Sequence, residues 1–171
     1  WAAVIPQTVS VLNAPLTWAQ TGMITVRPVG GTPKEGRMTV LIVDAANVVG
    51  ARPDGWWRDR EGATTRLLTR LAALPGRTLA AAAGPLTCTE VVAVVEGRAR
   101  GVPAPDGVRV VRAAGSGDDA LVEYAATRAT DPILVVTADR GLRARLPADA
   151  AVAGPGWLLA ELERMAPPPS A

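Results

Sequence analysis

The sequence is poor in the side chains that most enzyme nucleophiles and protein metal sites use. Its 171 residues include no histidine, one cysteine (Cys88) and one lysine (Lys34). These absences exclude Ser-His-Asp and Cys-His nucleophilic sites, zinc sites built from histidine and cysteine, lysine Schiff bases and a P-loop. Any chemistry must therefore come from carboxylates, arginines, small polar groups or a bound ion.

Long apolar runs and paired cysteines are also missing. No apolar run is long enough to span a bilayer, so we expect a soluble, cytoplasmic protein without a membrane partner. A single cysteine forms no internal disulfide, and we interpret Cys88 as a small buried hydrophobe. The net charge is only +2, so a nucleic-acid partner would have to bind through a local arginine patch.

The length suits one domain with a buried core. Residues 1–37 are interrupted by prolines and end in a Gly-rich, linker-like stretch, and they lack the pattern of a secretory signal. We predict a non-domain extension or misassigned start over residues 1–37, one domain over residues 38–166, and a Pro-rich tail over residues 167–171.

From Met38 onward, strand and helix patterns alternate. Short β-branched runs predict buried strands at residues 39–43, 91–95, 108–111 and 133–136, with a weak strand at 151–153. Helices are predicted near residues 60–74, 115–129 and 157–165, with a helical turn after Asp139. This alternation predicts a three-layer, Rossmann-like α/β domain with a mainly parallel sheet of about five strands.

Acidic side chains recur at one edge of the predicted sheet. Asp44, Glu96 and Asp139 each follow a strand, and Asp118 and Asp119 begin the helix after the third strand. In such sheets the ligand crevice lies outside the carboxyl ends of the strands. Clustered carboxylates repel one another unless a cation lies among them, and hard divalent ions prefer oxygen ligands. The pattern therefore predicts an Mg²⁺ or Mn²⁺ site.

Each acid except Asp44 also has a simple structural explanation. Asp118 and Asp119 could complement a helix dipole, and Asp139 could cap a short helix. Glu96 could be an ordinary loop acid. Asp44 resists such an explanation, because a charge directly after a buried strand is unfavourable without compensation.

Polar and aromatic side chains near the predicted crevice are candidates for contacting a substrate. Asn47 lies about one helical turn after Asp44 and could orient a water or a phosphate oxygen, or it could be a turn residue in the left-handed region. Arginines could bind phosphates and tryptophans could stack on bases, or the tryptophans could cover the core beside a solvated arginine rim. The predicted substrate-binding residues are Arg52, Trp56, Trp57, Arg58, Arg98 and Arg140.

Three motifs give the chain a family resemblance over roughly residues 38–165. VDAANVV at 43–49, GSGDDAL at 115–121 and VVTADRGL at 135–142 resemble bacterial NYN-domain proteins of the PIN-like nuclease superfamily. The resemblance implies a PIN-like sheet, a divalent metal and phosphodiester hydrolysis, usually of RNA.

Carried over by position, the resemblance assigns roles to four catalytic residues. It makes Asp44 the first metal ligand with Asn47 as its partner, Asp119 the helix-start ligand with Asp118 beside it, and Asp139 the ligand after the fourth strand. Glu96, a further metal ligand, stands where relatives often have aspartate, and Gly141 stands where many have another acid. These two departures leave open whether one ion or two bind.

The resulting hypothesis is a metal-dependent ribonuclease acting on single-stranded or structured RNA. A cation held by the carboxylates would bind the scissile phosphate and activate a water for in-line attack. The alternatives are a metal-dependent nucleotide phosphohydrolase and a catalytically weakened module that binds RNA or a partner. The sequence leaves the oligomeric state open.

Overall fold

A computed structural model describes residues 36–128 and 130–166. The chain divides into two units, residues 1–31 and 32–171, and every described residue belongs to the second. The predicted extension falls almost entirely outside the described residues, and so does the Pro-rich tail. Among the described residues, no helix is both long enough and apolar enough to cross a membrane.

One sheet of six strands forms the centre of the described part of the chain. The strands are β1 (Arg37–Asp44), β2 (Thr78–Ala81), β3 (Gly84–Val95), β4 (Val108–Arg112), β5 (Ile133–Val136) and β6 (Ala151–Ala153). Strand β1 pairs in parallel with β3 and β5, while β4 and β6 extend the sheet in parallel from β3 and β5. The predicted mainly parallel sheet is confirmed, and the antiparallel β2 is an addition to it.

The helices cover both faces of this sheet. They are α1 (Ala45–Gly50), α2 (Arg60–Leu71), α3 (Gly117–Thr127), α4 (Arg140–Arg143) and α5 (Pro155–Arg164), with 3₁₀ turns at Trp56–Arg58 and Gly97–Gly101. One buried cluster joins α1, α2 and α5 to one face of the sheet, and a second joins α3 and α4 to the other. The predicted three-layer architecture is therefore confirmed.

The two clusters explain the uninterrupted apolar run of β1. Because neighbouring side chains in a strand point to opposite faces, Leu41 and Val43 pack in the first cluster while Val40 and Ile42 pack in the second. All four are buried. A strand covered by helices on both faces needs apolar residues at every position, which produces a continuous run in the sequence.

The β2–β3 hairpin was not predicted. Strand β3 begins at Gly84 rather than Val91, and its first residues pair with β2. Gly84 has a φ of 109°, which the hairpin turn requires and which other residues rarely adopt. Cys88, on this early part of β3, is fully buried, and burial raises the pKa of its thiol to about 11.

The sheet also begins earlier than predicted, and a short helix follows it at once. Strand β1 starts at Arg37, and a Cβ added to Gly36 would lie 2.7 Å from the carbonyl carbon of Leu86. No helix was predicted between the first strand and residue 60, but α1 begins directly at Ala45.

Strand order reverses at β1. The chain runs outward from β1 to β3 and β4, then returns to the other side of β1 to form β5 and β6. The carboxyl ends of the five parallel strands share one edge, which we call the carboxyl edge. In open α/β sheets, ligands bind at such a reversal point, and Asp44 is the last residue of β1.

Candidate active site

An open cleft of about 590 Å³ lies at the carboxyl edge. Four carboxylates from four separate segments line it: Asp44, Glu96, Asp118 and Asp139. Among the described residues that line the cleft there is no arginine or lysine. The sheet therefore brings together acids that are far apart in the sequence, and gives them no basic partner within the cleft.

Asp44 is held in place by two hydrogen bonds. Its Oδ1 accepts from the backbone N–H of Asn47 at 3.0 Å, and its Oδ2 accepts from the Thr137 hydroxyl at 3.0 Å. Burial raises the pKa of Asp44, and the charges of Asp118 and Glu96 raise it further. The two hydrogen bonds lower this pKa, but the net shift is upward, so the carboxylate form is disfavoured.

Asn47 and Thr137 connect α1 to the loop after β5. The Asn47 side-chain oxygen accepts from the backbone N–H of Ala138 at 2.8 Å, and the Thr137 hydroxyl accepts from the Asp139 N–H at 3.1 Å. Asn47 lies within α1, so the alternative interpretation of Asn47 as a turn residue in the left-handed region is wrong. Thr137 is fully buried and was missed, although its position directly after β5 is a usable signal.

The two adjacent acids of α3 have different surroundings. Asp118 lines the cleft, whereas Asp119 is exposed and its Oδ1 forms an ion pair with Arg145. Burial raises the pKa of Asp118, and the nearby charges of Asp139 and Glu96 add to the increase. The resemblance made Asp119 the helix-start ligand and placed Asp118 beside it. The structure instead brings Asp118 into the group of cleft carboxylates.

Glu96 and Asp139 each combine a position in the cleft with a structural contact. Glu96 Oε2 accepts from the Gly117 N–H at 2.7 Å, which joins the end of β3 to the start of α3. Asp139 Oδ1 accepts from the Leu142 N–H at 2.8 Å and so caps α4. The capping role that the sequence allowed for Asp139 is therefore present alongside its place in the cleft.

The cleft has suitable donor atoms for a hard divalent cation, but they do not form a ready-made cage. In the part of the chain that the structure describes, no group of three or more acids or cysteines is arranged to hold a metal ion. Carboxylate oxygens are the donors that Mg²⁺ and Mn²⁺ prefer. Mg²⁺ in particular keeps several waters and often binds only one or two carboxylates plus substrate phosphates. The residues present fit that open type of site.

None of the six predicted substrate-binding side chains lines the cleft itself. Arg52 forms an ion pair with Glu163 at 2.6 Å, which joins the segment after α1 to α5. Arg98 and Arg140 are exposed and are adjacent in the chain to cleft acids, since Arg98 is two residues after Glu96 and Arg140 follows Asp139.

The tryptophan pair lies near one wall of the cleft. Trp56 is half-buried and lies near Gly50, which lines the cleft. The Trp57 side chain is 56% exposed, and the two rings meet edge to face with centroids 6.1 Å apart. Arg58 lies 6.0 Å from the centroid of the Trp57 ring. Neither tryptophan of this pair belongs to, or packs against, the two buried clusters of the described residues.

Sequence reasoning also missed Pro155 and Gly156, which begin α5 and line the cleft. They follow β6, which ends at the same edge as the other parallel strands. Their signal was the same as that of the acids, a position just after a strand. It was overlooked because neither residue carries a polar side chain.

Comparisons with known proteins give a match at the level of structure. No protein-family model matches the chain, and no curated protein sequence does. A crystal structure of a single-residue variant of Rae1 (YacP) from Bacillus subtilis is similar, with a TM-score of 0.50 and 20% sequence identity. The match covers 73% of this chain and 74% of that chain. At this identity the likeness shows a shared fold, and the architecture is consistent with the PIN-like fold that the motifs predict.

Proposed function

We propose that this protein is a metal-dependent nuclease that hydrolyses RNA phosphodiester bonds in the cleft at the carboxyl edge. The observation that carries the proposal is the convergence of four carboxylates on one open cleft at the reversal point of the sheet. The PIN-like fold and the NYN-like motifs support the nuclease class. RNA as the substrate follows from the resemblance of the motifs.

The charge of the cleft is the reason for proposing a cation. Four carboxylates repel a phosphodiester and one another. Burial is the main cause of the raised pKa values of Asp44 and Asp118, and the charges of neighbouring cleft acids raise these pKa values further. In this proposal the ion would be held, directly or through its water molecules, by the four cleft carboxylates: Asp44, Glu96, Asp118 and Asp139. When bound, a divalent ion supplies a Lewis acid for the phosphate and a water of lowered pKa.

The chain's own groups position the reacting partners. The Asn47 N–H and the Thr137 hydroxyl fix both oxygens of Asp44, so that this carboxylate does not need to reorganise when the substrate arrives. The Asn47 side-chain oxygen is bonded to Ala138, which leaves its amide NH₂ as the group to orient a phosphate oxygen or a water. Trp56, which lies beside Gly50, and the neighbouring Trp57 offer ring faces on which the bases of a single strand could stack.

A second candidate function has its own supporting observation. Because no three acids in the described residues form a ready-made metal site, a catalytically weakened module that binds RNA or a partner would show the same geometry. The hydrogen bond from Gly117 to Glu96 also ties down one of the candidate ligands. We favour the nuclease, because unpaired acids in a cleft would weaken binding of RNA unless a cation neutralised them.

The test is cleavage of single-stranded RNA in the presence of Mn²⁺, with free nucleotides assayed in parallel. We expect the wild type to cleave RNA and Asp44→Asn to lose on the order of 10²-fold or more in kcat/KM. Asp149→Asn, which changes an exposed carboxylate away from the cleft, is the matched control and should retain activity. Undiminished cleavage by Asp44→Asn would contradict the proposal, and preferential hydrolysis of free nucleotides would favour a phosphohydrolase.

A further inference from the structure

A second, smaller cavity lies on the other side of α1. Its volume is about 140 Å³, and residues of α1, α2, α5 and the segment after α1 line it. Its floor is apolar and includes Val48 and Leu67. Its rim carries three arginines and one acid: Arg52, Arg66, Arg70 and Asp54. We call this cavity the arginine pocket.

Helix α1 forms the wall between the arginine pocket and the acidic cleft. Asn47 and Gly50 line the cleft, whereas Val48 and Val49 line the pocket. An α-helix with its side chains is about 10 Å across, so the two cavities are separated by roughly that distance. A chain-like ligand that leaves the cleft over α1 would therefore reach the pocket.

The three arginines of the rim are matched in number by nearby acids, but the three arginines are not equally well paired. Arg52 is paired with Glu163, and Arg66 lies 3.5 Å from Asp59 in a pair whose two side chains are both more than 60% exposed. Such exposed ion pairs contribute little free energy, so Arg66 can exchange Asp59 for another negatively charged group. Arg70 is half-buried and forms no ion pair within residues 36–128 and 130–166. The pocket thus presents guanidinium groups next to a cleft whose charged side chains, among the described residues, are all carboxylates.

We propose that the arginine pocket is a subsite for the RNA strand whose scissile phosphate lies in the cleft. Arg66 and Arg70 bind a phosphate of that strand, and one ring of a base enters the apolar floor. A dry cavity of similar volume accommodates a benzene-sized ring. This inference rests on the proposed nuclease function. It adds the location of a strand-binding site and predicts that the protein prefers oligonucleotides to shorter substrates.

The first test is binding of a labelled single-stranded RNA about 10 nucleotides long, within the usual site sizes of such proteins. Fluorescence anisotropy is measured with Mn²⁺ present and with a phosphorothioate RNA that resists cleavage, so the readout is binding and is independent of activity. In the Arg66→Gln/Arg70→Gln variant, we expect about tenfold weaker binding. The slope of log affinity against log salt should fall by about 0.7, the value for one lost phosphate contact on a single strand.

The matched control is Arg37→Gln/Arg77→Gln, which removes the same charge from two exposed arginines outside the arginine pocket. It should keep the wild-type affinity and slope. Equal losses in both double variants, or no change in the Arg66/Arg70 variant, would overturn the inference. Unfolding midpoints of both variants check that each remains folded.

Cleavage separates failure of this inference from failure of the proposed function. The ratio of kcat/KM for the longer RNA to that for a dinucleotide should fall about tenfold in the Arg66→Gln/Arg70→Gln variant. If the wild type cleaves RNA but this ratio is unchanged in the variant, the inference is wrong and the nuclease proposal stands. If the wild type cleaves neither substrate, the nuclease proposal is wrong, and the binding experiment still decides whether the pocket binds RNA.

Discussion

Acidic residues at the two ends of the parallel strands have opposite kinds of charged neighbours. At the carboxyl edge, burial raises the pKa values of Asp44 and Asp118, and the charges of neighbouring carboxylates raise them further. At the opposite end, which we call the amino edge, Glu90 accepts from Arg109 at 2.7 Å and from Arg128 at 2.6 Å. Among the described residues, an acid at the amino edge therefore has two arginine partners, whereas Asp44 and Asp118 at the carboxyl edge form no ion pair.

Arg128 is the centre of the amino-edge network. It donates to the Tyr124 hydroxyl at 2.9 Å and to Asp131 at 3.2 Å, in addition to Glu90. These contacts, with the Tyr124 hydrogen bond first, raise the pKa of Arg128. The network joins the end of α3 to β3 and to the segment before β5, so it fixes the positions of three elements.

The contrast indicates which edge serves stability and which serves function. The chain places two arginines beside Glu90 at the amino edge. The lack of ion pairs for Asp44 and Asp118 in the described residues is therefore not explained by a shortage of arginine. Unpaired acids in a cleft reduce the stability of the folded chain unless a ligand compensates them. Groups with perturbed pKa values gathered in a cleft are typical of functional sites.

The largest expected effect is a difference in kcat/KM between variants of Asp118 and Asp119, the adjacent acids of α3. Asp118→Asn should lower kcat/KM for RNA by on the order of 10²-fold, because it removes a carboxylate of the cleft. Asp119→Asn should lower kcat/KM by less than about tenfold, because Asp119 is exposed and paired with Arg145. Steady-state cleavage with Mn²⁺ measures both. The reverse order would show that the resemblance, and not the cleft geometry, identifies the ligand.

A stability effect is expected at the amino edge. Glu90→Ala leaves Arg109 and Arg128 without their shared partner, and the side chains of Glu90 and Arg128 are only about a quarter exposed. The free energy of unfolding should fall by about 1–3 kcal/mol, between the values for exposed and buried ion pairs. Urea unfolding measures this change.

The control for Glu90→Ala is Glu123→Ala, which changes an exposed acid on α3 and should alter stability by less than about 0.5 kcal/mol. RNA cleavage per folded molecule should be the same in both variants and the wild type. A loss of activity in folded Glu90→Ala protein would mean that the division between the two edges is wrong.

The smallest predicted effect is a gain in stability at the carboxyl edge. Because the folded chain raises the pKa of Asp44, the stability linked to this group is fully present below its ordinary pKa of 3.8 and is lost as pH rises through the raised value. Asp44→Asn should therefore be more stable than the wild type at neutral pH in metal-free buffer. The difference should disappear in acid.

Urea unfolding at neutral pH and in acid, with Asp149→Asn as the exposed control, tests the sign of this stability difference. A wild type more stable than Asp44→Asn at neutral pH without metal would mean that hydrogen bonds from Asn47 and Thr137 outweigh the desolvation of the carboxylate.

Much of the fold could be predicted because the sheet is covered on both faces. Strand β5 has the predicted bounds, Ile133–Val136, since all four side chains are buried and the run is uniformly apolar. The β2–β3 hairpin could not be predicted in the same way. Its strands alternate between exposed and buried positions over few residues, and Gly84 and Pro85 interrupt the pattern.

From the sequence, the candidate site could be predicted only as a group of acids at the ends of strands. Asp44 was identifiable because a charge follows a buried run. The choice between Asp118 and Asp119 was not, because adjacent helix positions point about 100° apart and the packing of Leu121 and Ala125 fixes the rotation of α3. The partner of Arg52 was also beyond sequence reasoning, since Glu163 lies far along the chain.

The most direct test of the central claim is a calorimetric titration of the metal-free protein with Mn²⁺. The account predicts saturable binding to the wild type and an affinity at least about tenfold weaker in Asp44→Asn. Asp119→Asn should bind as the wild type does. Absence of Mn²⁺ binding to the wild type, or equal binding to Asp44→Asn, would contradict the claim that the cleft is a cation site.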